Sequence, residues 1–123
     1  MRTFILMFLA LLVSITMFGC QQPTETKATT IIVPHLVSPY NGSTNISTTP
    51  LFKWNNTAHR IQLALFPSFN TVLYTKDISG TSYQMPSHIL QFGMTYFWRV
   101  GVVNGNSVFW SAETYYFSTG NQE

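Results

Sequence analysis

Cysteine, charge and helical periodicity are all scarce in this chain, and each shortage closes off a class of protein. Cys20 is the single cysteine in 123 residues, so no intramolecular disulfide can form. Charged residues make up 8% of the sequence, low for a protein in water. Beyond Arg2, the bases Lys27, Lys53, Arg60, Lys76 and Arg99 are scattered, without the basic stripe that nucleic acid requires. The acids are Glu25, Asp77, Glu113 and Glu123, too few to point to a catalytic carboxylate pair. His35, His59 and His88 have no paired ligand spacing of the kind that marks zinc sites. No G-x-S-x-G elbow or phosphate-cradling glycine loop is present. No catalytic residue, metal ligand or cofactor is therefore expected. A cleft converging Asp77 or Glu113 on a histidine would reopen the question of chemistry.

What the chain does have begins at its amino terminus. Arg2 precedes an apolar stretch from Phe4 to Phe18, followed by Gly19-Cys20. This is the layout of a secretory signal. The run covers about 15 positions, short of the roughly 20 that span a bilayer. Met17-Phe18-Gly19-Cys20 resembles the lipobox of bacterial lipoproteins. That resemblance implies cleavage after residue 19, a diacylglyceryl group on the Cys20 sulfur and acylation of the new amino terminus. Saturated chains of this kind anchor firmly, at about 0.8 kcal/mol per buried methylene. An ordinary signal peptide or an uncleaved anchor is the alternative. Gln21, rather than aspartate, follows the cysteine, which the resemblance associates with an outer-membrane address if the cell has two membranes.

Residues 20–30 (CQQPTETKATT) are nearly free of aromatic and aliphatic side chains and read as a flexible tether. From Ile31 the pattern changes to short β-type runs broken by turn residues. Ile31-Ile32-Val33 before Pro34 suits an edge strand. Pro39-Tyr40-Asn41-Gly42 is expected to turn. Leu51–Trp54 is a strand, Asn55-Asn56-Thr57 a turn, and Arg60–Phe66 a strand with Ile61, Leu63 and Leu65 on one face. Val72–Lys76 follows, then a turn at Ile78-Ser79-Gly80, then Ser82–Met85. Thr95–Val103 is the longest strand, with Tyr96, Trp98, Val100 and Val102 on one face. Asn104-Gly105-Asn106 is a hairpin signal. Val108–Ser118 closes the domain, bent near Ser111. Some seven short strands without a helical period predict an all-β fold, a seven-stranded antiparallel sandwich over residues 31–119, with 120–123 as a tail.

Several blocks carry a second resemblance. They are Ser38-Pro39-Tyr40-Asn41-Gly42, Pro50-Leu51-Phe52-Lys53-Trp54-Asn55, Phe69, Leu90 through Val100 (LQFGMTYFWRV), Trp110-Ser111 and Phe117-Ser118-Thr119. Together they resemble a fibronectin type III domain of the variety found in bacterial envelope proteins. The resemblance implies that Tyr96 forms a tyrosine corner, its hydroxyl bonding back to an upstream backbone group and its ring filling the core. It places Trp54 as the buried tryptophan of an early strand. His59-Arg60 depart from the pattern, where that family often has an aromatic core residue.

Without disulfide or metal such a domain rests on its core. The expected core is Phe52, Trp54, Ile61, Leu63, Leu73, Tyr83, Leu90, Tyr96, Trp98, Val100 and Phe117. Other aromatics exceed what a core needs. Phe97 and Arg99 fall on the face opposite Trp98, and Trp110 is placed to stack on the Arg99 guanidinium. Either these aromatics form cross-strand ladders, or they make a surface for a glycan or protein partner. On the second reading Tyr40, Phe66, Phe97, Phe109 and Trp110 are the candidate binding residues. The sequence thus predicts an envelope lipoprotein held at a membrane by its lipid anchor. Its non-catalytic module binds an envelope protein or a polysaccharide, or serves as a structural spacer with no ligand of its own.

Overall fold

The computed structural model describes residues 30–122. The signal segment, Cys20 and the tether up to residue 29 lie outside the described residues. The described residues are all-β, with no helix. The strands are β1 (Leu36–Ser38), β2 (Ser43–Ile46), β3 (Leu51–Ala64), β4 (Val72–Gln84), β5 (Thr95–Asn104), β6 (Ser107–Trp110) and β7 (Tyr115–Thr119). They form one curled, mixed sheet in the order β1-β3-β5-β7-β2, with β4 also on β3 and β6 also on β5. Among the described residues, no helix is long and apolar enough to cross a membrane.

The curl comes from two long strands that bend together. Strand β3 runs unbroken for 14 residues and β4 for 13. Their pairing slips between Lys53 and Ala58, where Ala58 lies opposite Gly80. Asn56 has φ 60 and Gly80 φ 97 at this corner. Glycine enters that region freely, and asparagine more readily than most residues. The sequences Asn55-Asn56-Thr57 and Ile78-Ser79-Gly80, expected as chain reversals, are therefore facing irregularities in a continuous ladder, of the kind that bends strands. Before the corner, β3 pairs with β1 (Leu36↔Trp54) and the end of β4 (Phe52↔Tyr83). After it, β3 pairs with the start of β4 (Leu63↔Tyr74) and with β5 (Leu63↔Trp98).

The two arms of the curl face each other across the core. Phe52 on the first arm meets Trp98 on the second edge to face, with ring centroids 4.8 Å apart. Trp54 is buried and its Nε1–H donates to the Gly80 carbonyl at 2.9 Å, which ties an indole to the corner. Ile61, Leu63, Leu90, Tyr96, Val100 and Phe117 complete the expected core, joined by Leu36, Ala58 and Met85. Leu73 does not belong to it. It is 47% exposed, because Tyr74 and Ile78 supply the inward contacts of β4. Tyr83 is half-buried, with its hydroxyl 2.6 Å from that of Tyr74.

Other expectations are corrected at the edges. Ile31-Ile32-Val33 form no strand, and regular pairing starts at Leu36. The sheet is not antiparallel throughout, since β2 runs parallel to β7 (Ser43↔Phe117, Ile46↔Thr119). The turn at residues 39–42 causes this: it leads the chain from the β3 edge across to the β7 edge. There Gly42 N–H donates to the Tyr116 carbonyl at 2.7 Å and Asn41 Oδ1 accepts Tyr116 N–H at 3.0 Å. The hairpin at Gly105-Asn106 forms as expected, with Asn104 opposite Ser107. The break near Ser111 separates β6 from β7.

The loop entering β5 is held by its neighbours. The Tyr96 hydroxyl accepts the Gln91 N–H at 2.8 Å while its ring is buried. Thr119 Oγ1 donates to the Gln91 carbonyl and accepts the Met94 N–H at 3.0 Å.

Candidate ligand-binding face

Side chains alternate across a strand, and directly opposed residues share a face. With Ile61, Leu63, Trp98 and Val100 turned to the core, the residues between them define the outer face of the second arm. Three rows result. Asp77, Arg60, Gly101 and Trp110 make one; Thr75, Gln62 and Arg99 the next; Ala64, Phe97 and Tyr116 the third.

Arg99 is the centre of this face. Gln62 Oε1 accepts hydrogen bonds from its Nε at 3.1 Å and its Nη2 at 2.8 Å. One side of the guanidinium lies 3.9 Å from the Trp110 ring centre, and the Phe69 ring centre is 4.2 Å away. Cation–π contacts of this kind contribute about 0.5–2 kcal/mol each, more as water is excluded. Burial pulls the Arg99 pKa below its ordinary value, yet a guanidinium stays charged at physiological pH. Among the described residues, no carboxylate lies within ion-pair distance of it.

The local sequence explains each part. Glycine at 101 leaves room for the opposed indole. Phe69 comes from the loop after β3, buried to 7% exposure at φ 57, a backbone region that a bulky residue rarely enters. Its N–H donates to the Phe66 carbonyl at 3.3 Å, and Ser68 Oγ accepts the Asn70 N–H at 3.2 Å, so the turn is closed from both sides.

Gln62 also belongs to an open trough of about 540 Å³ that it lines with Arg60, Thr75, Lys76 and Asp77; Arg99 is not among the lining residues. Arg60 Nε donates to Asp77 Oδ1 at 2.9 Å, an exposed pair that adds little stability.

The five candidate binding residues do not converge. Phe97 and Trp110 share the outer face, Phe97 packing on Tyr116 with centroids 5.6 Å apart. Tyr40, 67% exposed, covers Tyr115, a residue packed against the core. Phe66 lines a separate apolar hollow of about 190 Å³ with Leu65, Thr71, Val72 and Leu73. Phe109, opposite Val102, alternates away from Trp110. The Trp110–Arg99 stack was legible in the sequence. The sequence marks Phe69 only within the fibronectin type III resemblance, not as a partner of Arg99, and gives Gln62 no role; the polar position between Ile61 and Leu63 was the available signal for Gln62.

Glu113 does meet a histidine: its Oε1 is 3.3 Å from His35 Nδ1. Its Oε2 accepts the Leu36 N–H at 2.7 Å, which makes the carboxylate a brace for the start of β1. His59 Nδ1 accepts the Val103 N–H at 3.0 Å, so this imidazole holds a backbone group. Among the described residues, no three His, Cys, Asp or Glu side chains are grouped to hold a metal.

No family model, curated protein or solved structure significantly matches this chain.

Proposed function

We propose that this chain is an envelope lipoprotein, anchored through Cys20, whose fibronectin type III-like β-sandwich presents a non-catalytic binding face. Two β arms closing over Phe52 and Trp98, a buried Trp54, and a Tyr96 hydroxyl bonded to Gln91 support the sandwich reading. The observation that carries the binding reading is Arg99: a cation stacked by rings, oriented by Gln62 and without a carboxylate partner among the described residues, on an open sheet face. A side chain held in one geometry loses little entropy when a ligand arrives. The address that follows from Gln21 is the outer membrane in a cell with two membranes.

The test is a pull-down from detergent-solubilised envelope with the lipidated protein, beside an Arg99→Ala variant. A protein or polysaccharide retained by the first and lost by the second supports binding. Recovery of nothing specific supports the spacer. That second reading has its own observation, the dispersal of Tyr40, Phe66 and Phe109 over separate parts of the surface.

A further inference from the structure

We infer that the outer face around Arg99 binds an acidic saccharide, with the guanidinium gripping the carboxylate of a uronic acid-type sugar whose neighbouring units extend past Gln62 into the adjoining trough; this rests on the binding reading above. Arginine carries five N–H donors in a rigid plane. Gln62 takes the Nε–H and the Nη2–H on the same edge. The remaining fork, from Nη1 and the second Nη2 hydrogen, has no acceptor among the described residues. That fork matches a carboxylate with two parallel hydrogen bonds. Trp110 and Phe69 keep the plane from turning.

The surroundings decide what else the ligand carries. The trough offers a hydroxyl from Thr75, an amide from Gln62 and a carboxylate from Asp77, with Arg60 as a cation. Gln62 spends its carbonyl on Arg99, which leaves its amide N–H groups to donate. These groups alternate in donor and acceptor character, as the hydroxyls of a sugar do. Asp77 on the same face disfavours a doubly charged phosphate more than a singly charged carboxylate. Phe97 on the neighbouring row supplies apolar surface for a pyranose face.

The experiment uses the purified full chain in neutral detergent, titrated with an oligogalacturonate and followed by calorimetry and by the Arg99 side-chain Nε–H resonance. The expected result is binding that moves this resonance and weakens at least ten-fold when the oligosaccharide is methyl-esterified. Gln62→Glu places an internal carboxylate against the guanidinium and is expected to abolish binding with an unchanged urea midpoint. Arg99→Lys, which lacks the fork, is expected to weaken binding at least ten-fold. The ester comparison needs no variant and stands if either variant fails to fold. Equal binding of the ester overturns the carboxylate grip while leaving a glycan-binding module intact. Equal binding of poly-glutamate or inorganic phosphate overturns the saccharide assignment. Failure of every saccharide overturns the inference, and the envelope pull-down then judges the binding reading separately.

Discussion

Gly101 lies opposite Trp110, and a Cβ placed on it would stand 2.7 Å from Trp110 Cε3 and 2.7 Å from Val108 Cγ1. The bare backbone is what lets the indole lie against the sheet and reach Arg99. Gly101→Ala is therefore expected to push Trp110 off the guanidinium, at a cost of about 1–3 kcal/mol from overpacking. Near-ultraviolet circular dichroism and a urea melt read both effects. An unchanged tryptophan signal would show that the indole does not depend on this contact.

The Tyr96 hydroxyl has one backbone donor to satisfy, Gln91 N–H. Tyr96→Phe keeps the buried ring and orphans that donor. A loss of about 1–3 kcal/mol is expected, the usual cost of a part-buried group left unpaired. The urea midpoint should fall with the slope unchanged, which separates a lost bond from a rearranged fold.

Trp98 is fully buried, and its Nε1 has no hydrogen-bond partner among the described residues. Trp98→Ala removes the ring that meets both Phe52 and Tyr115 and is expected to cost about 3–5 kcal/mol. Trp98→Phe keeps an aromatic surface and discards the unpaired N–H, so its cost should be clearly smaller. Equal losses in urea melts would show that a phenyl ring recovers none of the indole's packing and would overturn this expectation.

Burial, and then the hydrogen bond to Tyr74, push the Tyr83 pKa up to about 12 from 10.0. Between these values the unfolded chain has released this proton and the folded chain still holds it. Stability must therefore fall as pH rises from about 10 to about 12, and this contribution is fully present below pH 10. The other tyrosines titrate as well, so the measurement is a difference. Urea midpoints of the parent and of Tyr83→Phe, at pH 9 and pH 12, should converge as alkali removes the advantage. A gap that stays constant would refute the assignment.

Alternation and turn chemistry made most of the body readable. Tyr96, Trp98 and Val100 are buried as the period of two required, and Gly105-Asn106 turns where it should. The missed features share a cause: local residue preference does not say what the chain does next. Asn56 and Gly80 mark positive φ equally well in a reversal and in a bent ladder. Only the pairing of Ala58 with Gly80 separates the two. Leu73 looked like core by type, yet its neighbour Tyr74 faces inward beside Leu63. The proposed binding face was half visible. Arg99 and Trp110 sit on strands whose facing could be counted, whereas Phe69 arrives from a loop whose backbone conformation no periodicity announces.

The parallel seam between β2 and β7 has a mechanical side. Strands that run the same way are dragged lengthwise past each other when tension acts on the start of one and the end of the other. The Gly42-to-Tyr116 and Gly120-to-Ile46 hydrogen bonds at its two ends would then share the load instead of opening one by one like a zip. Tension applied between the start of β2 and the end of β7 would therefore meet a single joint.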